Sequence, residues 1–260
     1  MELTGKVALV TGAGSGIGKA AAVLMAQQGA RVAALSRTAH EVEQTATEIE
    51  RGGKEAIALV ADIAQEDQMQ RAVQQVLDRW GRIDIVFANA GINGMWAPIE
   101  ELSLADWSQT ITVNLTGTFL TIKYTVPHLK KQGGSLIITS SVNGTRVFSN
   151  TGATAYSATK AGQVAMAKML AVELGPHGIR VNVVCPGSTK TELRANTQRK
   201  NLEQIKFPVQ YPKGMIPLDG GKPATAEQVA QLVLFLASDA ASHITGTEIW
   251  IDGASSLVTG

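Results

Sequence analysis

Seven short apolar or β-branched runs alternate with six helix-patterned stretches, and this alternation constrains the fold more than any other feature of the chain. The runs are Val7 to Val10, Arg31 to Leu35, Ala56 to Val60, Ile83 to Ala88, Leu136 to Ile138, Arg180 to Val184 and Glu248 to Ile251. Helical periodicity fills the intervals, over Ile17 to Gln28, His40 to Arg51, Gln68 to Trp80, Leu104 to Leu129, Tyr156 to Leu174 and Ala226 to Leu236. A strand that returns through a helix lies parallel to its predecessor, and a parallel sheet must be covered on both faces. The pattern therefore predicts an α/β architecture, a doubly wound seven-stranded parallel sheet flanked by helices. A chain of 260 residues, 45% of them hydrophobic, can fill this plan as one domain spanning 1–260. One irregular stretch, Pro186 to about Thr225, has scattered prolines and glycines and a weak helical pattern near Glu192 to Ile205. Loops of that length inside compact domains are usually functional, and this one is expected to be a substrate lid.

Charge narrows the function. With 23 basic against 22 acidic residues, the chain has no global basic field of the kind that attracts nucleic acid. The single cysteine, Cys185, can neither close an internal disulfide nor build a Cys-based zinc site, which suits a reducing, cytoplasmic setting. No apolar run approaches the length of a membrane span, and Met1 to Lys6 lacks an apolar signal core. The histidines His40, His128, His177 and His243 share no metal-ligand spacing, so no metal site is expected.

Directly after the first apolar run comes Thr11-Gly12-Ala13-Gly14-Ser15-Gly16-Ile17-Gly18, followed by an alanine-rich helical stretch. Glycines between a strand and a helix let backbone N–H groups approach a pyrophosphate at the positive end of the helix. The spacing of Gly12, Gly16 and Gly18 differs from the usual dinucleotide fingerprint and resembles that of the short-chain dehydrogenase/reductase family, in its classical branch. Asp62, Asn89-Ala90-Gly91, Asn114, Ser141, Tyr156-x-x-x-Lys160 and Pro186-Gly187 then match the family's signature positions in order along almost the whole chain. The resemblance implies a single-domain Rossmann fold. It also implies a nicotinamide cofactor held by Gly12, Ser15, Gly16, Ile17 and Gly18 at the pyrophosphate, with Asp62 meeting the adenine, Asn89 supporting the sheet and cofactor, and Ile63, Gly91, Tyr156, Lys160 and Pro186 among its further contacts. The segment after Pro186, with Gly187, Thr189 and Thr191, would meet the nicotinamide. Thr189 stands where the family usually has an aliphatic residue, which makes Thr191 the safer carried-over contact.

The same resemblance assigns the chemistry to Asn114, Ser141, Tyr156 and Lys160. Tyr156 and Lys160 lie four residues apart, on one face of a helix. A free tyrosine has a pKa near ~10, too high for ready proton exchange at neutral pH. A cation at about 4 Å in an effective dielectric near 20 favours the phenolate by roughly 4 kcal/mol, and Lys160 is the expected source. Ser141 would hydrogen-bond the substrate oxygen where charge develops. A loop-capping role remains the alternative for Ser141, as for its neighbour Ser140. Asn114 would hold a water against Lys160, and it can equally kink or cap its helix.

The end of the second strand carries Ser36 and Arg37 in place of the carboxylate that accepts ribose hydrogen bonds in NAD-selective sites, so NADP(H) is expected to be preferred, with NAD(H) possible. Many NADP-preferring relatives carry a basic residue where this chain has Ser15. The expected reaction is hydride transfer between the cofactor and a carbonyl/secondary alcohol pair on a small-molecule substrate. The substrate is left between a 3-oxoacyl thioester and a sugar or polyol, and a catalytically silent nucleotide-binding redox sensor is the rival from another class. Lys190, Arg194, Arg199, Lys200, Lys206, Lys213 and Lys222 outnumber Glu192, Glu203 and Asp219 in the lid, which would suit an anionic substrate or simply a solvated loop. The stretch Ala161 to Val172 is apolar and small over most of its circumference, more than one sheet face requires, and predicts a homotetramer.

Overall fold

The computed structural model describes residues 2–191, 197–206 and 216–259. β1 (Val7–Thr11) is wholly buried and sits at the centre of the main sheet, between β2 (Arg31–Ser36) and β4 (Ile85–Ala88). β3 (Ala56–Val60) forms one edge, and β6 (Gly134–Thr139), β7 (Ile179–Pro186) and β9 (Glu248–Ile251) extend the other side. The order β3-β2-β1-β4-β6-β7-β9 is parallel throughout, the seven-stranded doubly wound sheet that the alternation predicts. Chain direction across the sheet reverses between β1 and β4, and a crevice opens at such a switch point outside the carboxyl ends of the strands.

Alternation of side chains along β1 feeds two cores. Val7 and Leu9 pack on one face with α3 (Glu66–Trp80), α5 (Gly117–Leu129) and α6 (Thr154–Leu174), through Met69, Leu120 and Val164. Ala8 and Val10 pack on the other with α1 (Gly16–Gln27), α2 (Ala39–Arg51) and the late helix α7 (Ala226–Ala237), through Ala21, Val42 and Val229. Strands apolar on both faces can only be central in such a sheet.

Two expectations are corrected. The stretch Leu104 to Leu129 is not one regular helix: α4 (Leu104–Ile111) passes into a wider π turn over Thr112–Thr116 before α5 begins. Insertions of this kind are frequent at functional sites, and here the widened turn carries Asn114. In the second case the weak helical pattern near Glu192 to Ile205 does not give a helix in its described part. β8 (Gln198–Arg199) pairs in parallel with β5 (Met95–Trp96), and only Leu202–Ile205 turns, as 3-10 helix. Tertiary contacts override the local pattern: Lys200 N–H donates to the Trp96 carbonyl at 2.9 Å, the Arg199 guanidinium stacks over the Trp96 ring, and Lys200 pairs with Glu101 at 3.1 Å. Residues 192–196 and 207–215 of the expected lid lie outside the described residues.

After β9 the chain turns at Asp252 into the short α8 (Ser255–Thr259), with Ala254 in left-handed backbone at φ +68°. That conformation costs a residue with a Cβ about 1 kcal/mol or more. Ala254→Gly should therefore raise stability by about 0.5–1 kcal/mol, after the extra freedom of glycine in the unfolded chain is offset. Paired denaturant titrations would detect this, and an unchanged or lower midpoint would refute it.

Candidate active site

The phosphate loop takes its shape from contacts at the end of β1. Thr11 Oγ1 accepts from the N–H groups of Asn89 and Ala90 at 3.0 and 3.1 Å, and Asn89 Nδ2 donates back to the Thr11 carbonyl at 3.2 Å. Thr139 Oγ1 donates to Asn89 Oδ1 at 3.1 Å, so the Asn89 side chain ties together the ends of β1, β4 and β6. Gly12 has φ +68°, and a Cβ there would lie 2.9 Å from Ala90 Cα. A Cβ on Gly18 would overlap the Gly12 carbonyl and come within 2.7 Å of Asn89 Nδ2. Only glycine allows the loop to close so tightly on β4. Ser15, extended before α1, makes no side-chain cap bond. The N–H groups of Gly16, Ile17 and Gly18 form the first turn of α1, where no intrahelical acceptor exists. Ile17 itself packs against the core beneath.

The segment after β7 runs up to this loop. Ser188 and Lys190 pair with Ala224, whose N–H donates to the Ser188 carbonyl and whose carbonyl accepts from the Lys190 N–H, both at 2.9 Å. Gly187 N–H donates to the Ile251 carbonyl at 3.1 Å, directly after the buried Pro186, and Thr189 Oγ1 turns back to the Gly187 carbonyl at 3.3 Å. Thr191 reaches furthest: a Cβ on Gly16 would stand 3.1 Å from Thr191 Cγ2. After β3, Asp62 Oδ1 accepts from Ala64 N–H at 2.9 Å, and its own N–H donates to Gln68 Oε1 at 2.8 Å. Ile63 is buried beneath Gly117.

Tyr156 and Lys160 project from one face of α6 and are 8% and 4% exposed. Ser141 Oγ accepts from Asn143 N–H at 3.2 Å, and the Ser141 hydroxyl is close enough to the Tyr156 phenol to favour its ionised form. Ser140 faces elsewhere, donating to the Lys160 carbonyl at 2.8 Å. The expected depression of Tyr156 by Lys160 is not what the protein groups alone produce. Burial pushes the Tyr156 phenol up, the neighbouring Ser141 hydroxyl opposes it, and Cys185 adds to the rise. Lys160 Nζ lies 5.5 Å from the Tyr156 ring centroid and donates to the Thr139 carbonyl at 2.8 Å, while burial brings its ammonium down to about 8. For both groups burial is the largest cause of the shift, and each is held toward its uncharged form.

Asn114 is buried and fully occupied. Its Oδ1 accepts from Ile92 N–H and its Nδ2 donates to the Ile92 carbonyl, both at 2.8 Å, so the amide pairs with the backbone as a strand would. The Asn114 carbonyl accepts from Gln163 Nε2 at 2.9 Å and from Thr118 Oγ1 at 2.7 Å. Asn114 therefore positions the turn around Gly91, where a Cβ would lie 3.0 Å from Asn114 Oδ1 and 3.7 Å from Lys160 Nζ. Three partners escape sequence reading. Thr139 acts through its main chain; Gln163 lies one turn beyond Lys160 on a helix rich in plausible core residues; Asn143 gives no signal beyond its nearness to Ser141. Asn150 Nδ2 donates to Asn143 Oδ1 at 2.8 Å, which closes the loop between Ser141 and Tyr156.

A glycine cradle whose Ser15 hydroxyl and helix-start N–H groups have no partner among the described residues fits a pyrophosphate, and a Ser-Tyr-Lys cluster lies at the carboxyl ends of the neighbouring strands. The fold and this arrangement define a Rossmann-type oxidoreductase. The family model described as Enoyl-(Acyl carrier protein) reductase matches residues 12–255. The chain is 40% identical over 255 residues to the 3-oxoacyl-[acyl-carrier-protein] reductase FabG of Thermotoga maritima, covering 97% of this chain and 98% of that one. Among solved structures it resembles a 3-ketoacyl-ACP reductase from Sinorhizobium meliloti 1021, with TM-score 0.93, 52% identity and coverage of 96% and 99% of the two chains. It also resembles a 3-ketoacyl-(acyl-carrier-protein) reductase from Brucella melitensis complexed with NADH, with TM-score 0.87, 32% identity and coverage of 98% and 100%. The chain belongs to the short-chain dehydrogenase/reductase family, in its classical branch, and is an oxidoreductase of the CH–OH/carbonyl class.

Proposed function

We propose that the chain moves a hydride between a nicotinamide dinucleotide and a carbonyl/secondary alcohol pair, with Tyr156 as the proton donor and acceptor. The observation that carries this reading is the grouping of Ser141, Tyr156 and Lys160, all three buried, where the chain leaves β6 and along one face of α6. The bound nicotinamide supplies or accepts the hydride. Ser141 holds the substrate oxygen, and Tyr156, kept neutral by burial, gives its proton to that oxygen during reduction. Lys160 supplies positive charge beside the phenol. Asn114 positions the floor of the site through Ile92. The phosphate loop and Thr191 hold the pyrophosphate, and Asp62 and Ile63 receive the adenine. The reductase names of the relatives at 40% and 52% identity make a 3-oxoacyl thioester the first substrate to test. Reduced-cofactor absorbance with a short 3-oxoacyl thioester, simple ketones and polyols decides the matter. Consumption with the thioester is expected, and no turnover with any of them would favour a catalytically silent sensor.

The same reading gives NADP(H) the preference. Arg37 is exposed at the end of β2, engaged by no ion pair among the described residues, and Ser36 precedes it with its hydroxyl near the phosphate loop. A charge-assisted contact with the 2′-phosphate is worth ~1.5 to 3 kcal/mol, or roughly ten- to a hundredfold in kcat/KM. Arg37→Ala should remove that advantage for NADPH while sparing NADH, and equal efficiencies in the wild type would count against it.

The assembly we propose is a homotetramer in a reducing, cytoplasmic setting. Val164, Ala167 and Ala171 of α6 are buried against the sheet, yet Met169 and Val172 are 74% and 80% exposed, and Phe119 of α5 is 48% exposed. Apolar side chains left in water on two long helices are suited to pairing across a two-fold axis. Light scattering should return four times the 27.4 kDa chain mass, and a value near the single chain would refute assembly. Among the described residues no helix is long and apolar enough to cross a membrane. The stretch 186–225 is proposed to cover the substrate, on the strength of its described ends, which lead from β7 to the phosphate loop.

A further inference from the structure

Helix α2 begins beside the end of β2 and is clamped to the phosphate loop, with Thr45 Oγ1 donating to the Ala13 carbonyl at 2.9 Å. One turn earlier on the same face stands Glu41. A Cβ built on Gly14 would lie 2.8 Å from Glu41 Oε2 and 3.1 Å from Ser36 Oγ, so carboxylate and hydroxyl face one small volume above the loop. The Glu41 carboxylate has no ion pair or hydrogen bond among the described residues, and neither has the guanidinium of Arg37, although the two are four apart. The Glu41 carboxylate and the Ser36 hydroxyl therefore border one space at the end of β2, and the exposed Arg37 is the next residue along the chain.

Dinucleotide sites that take an unphosphorylated ribose carry an acidic side chain near the end of the second strand, where it accepts from the ribose hydroxyls. This chain has Ser36 and Arg37 at that point, and brings the acid in from the first turn of α2. We propose that Glu41 is a specificity residue of the cofactor site: its carboxylate accepts from the adenosine ribose hydroxyls and opposes a 2′-phosphate seated on Ser36 and Arg37. The inference rests on the nicotinamide-dinucleotide reading of the crevice. On this reading the preference for a phosphorylated ribose is set by the balance of two side chains. Arg37 draws the phosphate in, and Glu41, an anion at contact distance from the same volume, limits the gain. A carboxylate held within a few ångströms of a phosphate in a half-exposed site weakens binding by about tenfold or more.

The test needs no turnover. 2′,5′-ADP and 5′-AMP are titrated calorimetrically into the wild type, Glu41→Gln and Arg37→Ala. Glu41→Gln keeps the side chain's size and removes its charge. It should bind 2′,5′-ADP about tenfold more tightly and 5′-AMP about threefold more weakly, whereas Arg37→Ala should weaken 2′,5′-ADP alone. If Glu41→Gln leaves both affinities unchanged, or lowers both alike, Glu41 is an acid that only favours the start of α2, and the proposal falls. If the wild type binds neither nucleotide, the cofactor reading of the crevice fails, and the role of Glu41 fails with it.

Discussion

Tyr156→Phe is expected to lower turnover by about 10² to 10⁴, the range that general acid-base catalysis contributes, while leaving nucleotide affinity nearly unchanged. The substitution removes one oxygen and keeps the ring that α6 buries. What is lost is the proton that would pass to the substrate oxygen. Burial holds the phenol above its ordinary range, so Tyr156 stays protonated through neutral pH and serves reduction as an acid. Oxidation needs the phenolate, so its rate should rise with pH across the alkaline range. A Phe variant that retains more than about a tenth of wild-type turnover would remove Tyr156 from the reaction. Unchanged kcat with a raised KM would instead make it a binding residue.

The sheet was legible because strands with period two and helices with period near 3.6 leave different marks, and because apolar runs such as Leu136 to Ile138 can only be central strands. The phosphate loop was legible for a related reason: its glycines answer to backbone geometry, not to a neighbour elsewhere in the chain. Features built by distant partners were not. β5 and β8 are two residues each and exist through their pairing with one another. The π turn at Asn114 goes with an amide that closes on Ile92, 22 positions away. Lys160 could be picked as a site residue, but the acceptor its ammonium finds is a backbone carbonyl on β6, which no side-chain pattern announces. Glu41 is hidden differently. An acidic residue in the first turn of a helix is ordinary, since it complements the helix dipole, and only the approach of α2 to Gly14 gives it another use.

Lys160 should reveal what the site withholds from stability. Burial brings its ammonium from 10.5 to about 8, so between those values the unfolded chain binds more protons than the folded one. Stability therefore rises with pH through that window. Below pH 8 the folded chain carries the whole cost of the buried charge, on the order of 3 kcal/mol, and above pH 10.5 none of it. Lys160→Met keeps an unbranched stem in the same space and removes the titrating group. It also forfeits the hydrogen bond to the Thr139 carbonyl, worth roughly 1.5–3 kcal/mol for a charged donor. At pH 7 the two effects nearly offset, with Met level or ahead by about 1 kcal/mol. Near pH 10 the cost of the charge has largely gone while the carbonyl still lacks a partner, so the wild type should overtake the variant. At pH 7 turnover should fall by at least about 100-fold, since the ammonium beside Tyr156 is gone. Denaturant titrations of both proteins at pH 7 and pH 10 read the crossing directly. A stability gap that does not change with pH would mean that Lys160 is not held as a strained ammonium, and its place beside Tyr156 would then need another explanation.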